Sequence, residues 1–265
     1  RYDTARDRFV MTYKLNGLRD DVTSGTVNCT YMDSNDRIWL CHGDSIIRYD
    51  TRAGTTDRID SPASNDITAI TQTDSTNFFI GTSNGLLQTI EKEGVLETVV
   101  GTYTDSICIP VSELYFHQDS KKLFIGTFKE GIIAYGMNTT STIIADGPLQ
   151  NVAIKRITPF GKRQLLVATG GRGVYKIDVD SLSARPYITA DYSNYNGMNG
   201  NNINDIYVDE EERIWLANYP TGITIRNNRY GSYDLIRHSL GNSLSLVNDQ
   251  VHDLSLIHIS EPTRL

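Results

Sequence analysis

The stretch VNCTYMDSNDRIWLCHGDSIIRYD, residues Val27 to Asp50, decides the fold. It contains an alternating run, a polar turn, an apolar run carrying Trp39, a glycine turn and another apolar run. Strand side chains alternate between two faces, so period-two runs broken by Asn, Asp, Ser and Gly predict short strands joined by tight turns. The template returns as ITAITQTDSTNFFIGTSNGLLQTI from Ile67, VSELYFHQDSKKLFIGTFKEGIIAY from Val111, IKRITPFGKRQLLVATGGRGVYKID from Ile154 and INDIYVDEEERIWLANYPTGITI from Ile203. A sixth copy opens with Val251, His252 and Asp253. The aligned anchors Trp39, Phe79, Phe124, Leu166 and Trp215 are spaced by 40, 45, 42 and 49 residues, the mark of a repeat architecture.

Each copy predicts four strands, and no segment carries a helical stripe. A lone four-stranded unit cannot bury both faces of its sheet, so neighbours must stack around an axis. The expected fold class is all-β, a β-propeller of four-stranded antiparallel blades. About five blades are complete, with partial blades at both ends and an incomplete ring. The propeller is expected over residues 1–253, with blades starting near 27, 67, 111, 154, 203 and 251. RYDTARDRFVMTY, from Arg1, reads as the last two strands of a preceding blade. LSLIHISEPTR, from Leu254, reads like a translated sequencing adapter, so 254–265 is set aside as a non-native tail.

The anchors hold Trp, Phe, Phe, Leu and Trp, which points to selection for volume between blades. Trp39, Phe79, Phe124, Leu166 and Trp215 are therefore expected in the core rather than as ligand platforms. The charges before Trp215, DEEER, occupy a hairpin tip and are most simply solvated. GTSNG and GGRG look like phosphate loops, yet no helix follows to supply the amide cradle.

The chain has 265 residues, 39% hydrophobic and 22% charged, with 25 basic against 32 acidic side chains and a net charge of -7. That balance repels a phosphate backbone, so nucleic acid is not an expected partner. No apolar run is long enough to cross a bilayer, and no secretory segment opens the chain. Cys29, Cys41 and Cys108 are odd in number and irregular in spacing, which fits buried free thiols. His42, His117, His238 and His252 are scattered, so neither a metal nor another cofactor is expected. The sequons at Asn28 and Asn138 matter only in a glycosylating secretory pathway.

RIWLCHGDSIIRYD, LFIGTFKEGIIAY and RIWLANYPTGITI resemble the I-W-I-G-T-x-x-G-L-x-R-Y pattern of two-component regulator propeller repeats. SLSLVNDQVHDL resembles the linker that introduces each copy. The resemblance covers residues 1–253, with Cys41, Ala168 and Ala217 standing where Gly or Thr is usual. It implies the periplasmic sensor region of a hybrid two-component histidine kinase from a carbohydrate-degrading gut bacterium. It further implies an oligosaccharide ligand, self-association in the parent and a kinase region outside this chain.

Propeller function resides in loops. Loops between second and third strands emerge at the same end as the connections between blades. They carry His42, Asp44, Asn84, Lys129, Glu130, Arg172, Asn218 and Tyr219; the linker 191–202 adds Tyr195. Amides and charges can hydrogen-bond hydroxyls, and a tyrosine can cover the apolar face of a sugar ring. The same residues also read as ordinary polar turns. Three functions remain: a non-catalytic sensor, a propeller lyase or glycoside hydrolase, and a protein-interaction scaffold. Hydrolysis needs two carboxylates at a defined separation, and these loops offer only Asp44 and Glu130, from different blades.

Overall fold

The computed structural model describes residues 2–3, 8–9, 27–59, 66–99, 107–136, 142–143, 147–190, 198, 200–228 and 230–254. All regular structure among them is strand. The hairpin β1 (Tyr2–Asp3) and β2 (Arg8–Phe9) comes first. The first blade is β3 (Cys29–Met32), β4 (Arg37–His42), β5 (Ser45–Asp50) and β6 (Thr55–Ile59). The second is β7 (Ile67–Gln72), β8 (Asn77–Thr82), β9 (Gly85–Lys92) and β10 (Val95–Thr98). The third is β11 (Val111–His117), β12 (Lys122–Thr127), β13 (Ile132–Gly136) and β14 (Thr142–Ile143). The fourth is β15 (Ile154–Pro159), β16 (Gln164–Thr169), β17 (Val174–Asp178) and β18 (Ala184–Ile188). The fifth is β19 (Ile203–Val208), β20 (Ile214–Asn218), β21 (Gly222–Arg226) and β22 (Tyr233–Ile236).

Every blade is an antiparallel meander in chain order. The first strands lie side by side in series, β3 against β7, β7 against β11, β11 against β15 and β15 against β19. That series surrounds a common axis, and the fold is a β-propeller.

The blades are held together by the anchors. Trp39 clusters with Phe78, Phe79 with Leu123, Phe124 with Leu165 and Leu166 with Ile214, so each anchor packs against the residue just before the next one. These four anchors are at most 1% exposed, and each contributes roughly 1.5–3 kcal/mol by burial. Trp215 departs from the expectation, being only half-buried. The sixth copy contributes only residues 251–254 to the described residues, and no packed blade of theirs covers this indole.

The hairpin tips also require a correction. The Asp209 carboxylate accepts the amides of Glu211 and Arg213 on Oδ1, and Arg213 Nε at 2.7 Å and Trp215 Nε1 at 2.8 Å on Oδ2. The first blade repeats this hub. Asp33 accepts the amides of Asn35 and Arg37, Arg37 Nε at 2.6 Å and Trp39 Nε1 at 2.8 Å. Burial pushes both carboxyls up, but the converging donors outweigh it and hold each below the usual carboxylate range. An indole N–H needs an acceptor when buried. The hub therefore occurs only in the two tryptophan blades, and Thr73, Gln118 and Phe160 stand at its position where the anchor is Phe or Leu.

The hub extends across the first seam. Arg37 donates to both oxygens of Glu91 in the second blade, at 2.9 and 2.7 Å. Arg48 pairs with Glu91 and, at 3.0 Å, with Asp57. The two guanidinium groups stand 5.5 and 5.7 Å from the Trp39 ring centroid.

Candidate functional site

A repeated bulge shapes the inner strand of the second to fifth blades. Ile67 pairs with Thr82 and Ala69 with Gly81, leaving Thr68 extra, and Ser112, Lys155 and Asn204 are the corresponding extra residues. A bulge re-aims the side chains beside it. The displaced polar residue is used as a staple: Thr68 donates to Val111 O, Ser112 to Ile154 O and Asn204 to Val251 O. Asn28 donates to Ile67 O in the same way. The staple from Asn204 gives Val251 the place that Ile67, Val111 and Ile154 hold in earlier copies.

The loops between second and third strands dock on the connections between blades. Ile67 N–H donates to Gly43 O, Leu86 N–H to Ile107 O, Phe128 N–H to Pro110 O, Gly173 N–H to Asn201 O and Gly222 N–H to Asp249 O. Both sets of loops therefore share one end of the propeller. Gly131, at φ +84°, shows how closely they approach, because a Cβ there would collide with the Leu149 carbonyl oxygen.

The candidate residues are distributed around this end, and no hydrogen bond or ion pair joins any two of them among the described residues. His42 is half-buried; Asp44, Asn84, Lys129 and Glu130 are exposed. Arg172 is spent locally, donating from Nη1 to Pro148 O at 2.8 Å and Gln150 O at 3.0 Å. Tyr219 is 36% exposed, with its ring 6.0 Å from that of His252. Tyr195 lies outside the described residues. Asn218 is a correction: it is 0% exposed and its Nδ2 donates to Thr224 Oγ1 at 2.7 Å. It occupies the slot of Thr82, Thr127 and Thr169, whose hydroxyls donate to the glycine carbonyls closing the same turn. Asn218 thus braces a loop through Nδ2, while its Oδ1 is buried without a hydrogen-bond partner among the described residues.

Two residues after the start of each copy, and beside the bulge in the second to fifth blades, the chain carries Cys29, Ala69, Glu113, Arg156, Asp205 and Asp253. Arg156 approaches Glu113 at 3.6 Å in the third blade and Asp205 at 3.1 Å in the fifth. Asp205 Oδ2 also accepts the Leu254 amide at 2.7 Å. One guanidinium thus spans three blades just beneath the loop-bearing end. The Glu113 side chain is 18% exposed, yet burial pushes its carboxyl up to about 7, with Arg156 opposing and Asp253 adding to the rise. Burial and the contact with Asp253 raise Asp205 likewise, against the pull of Arg156 and the Leu254 amide. Arg156 is lowered by burial, but Glu113, Asp205 and Asp253 outweigh this and keep it firmly charged. Glu113 and Asp205 beside one cation can hold a proton near neutral pH and offer hydroxyls both donors and acceptors.

Sequence reasoning focused on the loops and missed this axial group. The signal was available, since the charges fall at one position of consecutive copies. Among the described residues no group of three or more His, Cys, Asp or Glu side chains is placed to hold a metal ion. No helix among them is long and apolar enough to cross a membrane.

No family model matches the chain, and no curated protein matches it in sequence. Solved structures match it in fold. The extracellular domain of BT3049, described as a hybrid two-component system of B. thetaiotaomicron, superimposes with a TM-score of 0.67 at 16% identity. That match covers 88% of this chain and 32% of the other. The extracellular domain of BT4673, described as a hybrid two-component system of the same organism, gives a TM-score of 0.56 at 22% identity over 71% of this chain and 25% of that one. The chain spans a quarter to a third of the length of these structures, and its five blades share the fold of part of each.

Proposed function

We propose that the chain is a non-catalytic, periplasmic sensor module of a hybrid two-component regulator, which binds an oligosaccharide or relays its binding to a histidine kinase. The observation that carries this reading is the propeller fold shared with extracellular domains of hybrid two-component systems over most of the chain. The loop-bearing end adds support, with exposed Asn84, Lys129, Glu130 and Tyr219 arranged above the axial carboxyls. Ligand binding would act by favouring one arrangement of propellers or of self-associated protomers, which requires unequal affinity for the two states.

A glycan array followed by calorimetry on the extracellular region of the parent protein tests the reading. A saccharide that binds should lose at least tenfold in affinity when Lys129 and Tyr219 are both replaced by Ala, with the melting temperature unchanged. Unchanged affinity would remove the loop-bearing end as the site. Turnover of a bound glycan would refute the non-catalytic assignment.

A further inference from the structure

The seam between the fourth and fifth blades reverses the charge logic of the seam between the first and second. Arg48 pairs in register with Trp39 on one side and with Asp57 on the other, and Glu91 from the next blade completes its neutralisation. Lys176 holds the same place in the fourth blade, in register with the anchor Leu166. Its partner on the fourth strand is Arg185, and the next blade contributes Arg226. Arg185 thus replaces the acid Asp57, and the register place of Glu91 falls on the neutral Asn228, with Arg226 two residues before it, in a chain whose net charge is -7.

Like charges directly opposite in a sheet are destabilising. Lys176, Arg185 and Arg226 nevertheless form no ion pair among the described residues, and Nε and Nη1 of Arg226 are buried without a hydrogen-bond partner there. Aromatic rings hold the cations in place. Lys176 Nζ lies 3.8 Å from the Tyr187 centroid and 4.5 Å from that of Phe160, while the Arg226 guanidinium lies 4.5 Å from Tyr187. Tyr187 is itself fixed by donating to Asn228 Oδ1 at 2.8 Å. A cleft of about 300 Å³ opens beside them, lined by Gln164, Lys176, Asp178, Ser181, Ser183 and Arg185. Its one carboxylate, Asp178, is turned to its own turn, accepting the amides of Asp180 and Ser181 and the Ser181 hydroxyl on Oδ1.

We infer that this seam is a binding site for an oxyanion, the sulfate or carboxylate group of an acidic ligand, held by Lys176 and Arg185 with Gln164 and the serine hydroxyls as further donors, while Arg226, against the Tyr187 ring, adds positive charge nearby. The geometry supplies charge from three strands and a cleft large enough for a charged substituent with part of the ring that bears it. Burial, followed by the neighbouring Arg185 and Arg226, lowers the Lys176 ammonium, and a bound anion would relieve that cost. The site stands on the outer part of the seam, so its occupancy does not depend on the loop-bearing end binding a saccharide.

The test is calorimetry on the whole chain with sodium sulfate, sodium glucuronate and glucose at matched ionic strength, alongside thermal melts. Wild type should bind sulfate or glucuronate saturably and ignore glucose. The double variant K176M/R185Q should lose at least tenfold in affinity, and R226Q, which removes a nearby charge that does not line the cleft, should lose two- to threefold. D178N, which keeps an oxygen for the turn while removing a negative charge, should bind two- to threefold more tightly. Sulfate stabilises proteins generally by exclusion from their surface, so an equal, non-saturating rise in melting temperature for wild type and K176M/R185Q would overturn the proposal. Unaltered affinity in folded R226Q and R185Q would overturn it as well. Binding of sulfate alone would assign a free inorganic anion, whereas tighter glucuronate binding would assign a saccharide substituent.

Discussion

Replacing Asp33 by Asn keeps the shape of the first-blade hub and changes only its charge and one acceptor. Oδ1 can still accept the amides of Asn35 and Arg37, both at 2.9 Å. The new NH₂ group, however, faces two donors, Arg37 Nε and Trp39 Nε1. Two charge-assisted hydrogen bonds are lost in a place where the Asp33 side chain is 0% exposed. At about 1.5–3 kcal/mol for each, and with Arg37 still paired to Glu91, the expected loss of stability is about 3–5 kcal/mol. The same change at Asp209 meets a more open site, with Arg213 39% exposed and also paired to Glu211 at 3.0 Å. Water can replace part of what is lost there, and the expected cost is about 1–2 kcal/mol. Urea unfolding followed by circular dichroism measures both, and tryptophan fluorescence reports the first and fifth blades because Trp39 and Trp215 are the only tryptophans. A double-mutant cycle with Trp39→Phe removes the clashing indole donor, so the pair should be less damaging than the sum by more than about 1 kcal/mol. Equal losses at Asp33 and Asp209, or an additive cycle, would refute the argument that this carboxylate is there to satisfy the indole.

Glu113 gives the chain a pH dependence of opposite sign. Its folded-state pKa of about 7 lies above the ordinary 4.5, so its contribution is full below 4.5 and is lost as pH rises through about 7. At about 1.4 kcal/mol per pH unit the loss is on the order of 3 kcal/mol, and Glu113→Gln should flatten the fall in melting temperature between about pH 5 and 8. Asp33 and Asp209, held below their ordinary range, add stability that is lost only on acidification below about pH 4. Gly131→Ala puts a Cβ against the Leu149 carbonyl at positive φ and should cost more than about 2 kcal/mol in urea titrations. Gly126→Ala meets the Ile154 side chain, with Cγ2 at 2.7 Å, and should cost less because a side chain can shift. Cys108 is exposed and should alkylate rapidly under native conditions. Cys29 pairs in register with Cys41, and the contact with that thiol together with burial raises it, so both should react only on unfolding, as mass spectrometry would show.

The copies beginning near Val27, Ile67, Val111, Ile154 and Ile203 were legible because a strand pattern is local. Alternation, turn residues and a bulky anchor are written within about two dozen consecutive positions. The Asp33 and Asp209 hubs were legible too, since Asp stands six residues before each tryptophan and at no Phe or Leu anchor. Their role is not legible, because charge in a turn is usually solvated. Asn218 was placed at the binding end by its position in a polar turn, but its neighbour Thr224 lies on the next strand, and only the strand pairing shows that the amide points inward. The axial group of Glu113, Arg156 and Asp205 joins residues 43 and 49 positions apart, and the cations of the outer seam come from three strands of two blades.

By itself, the amino-acid sequence determined the strand-by-strand architecture, the spacing of the blades and the end at which their loops emerge. These follow from side-chain alternation and chain direction within each copy. The tertiary structure alone decided which charges meet, which are neutralised and which are left without a partner. Electrostatic free energy depends on distance and burial across the seams, and neither is encoded within any single repeat.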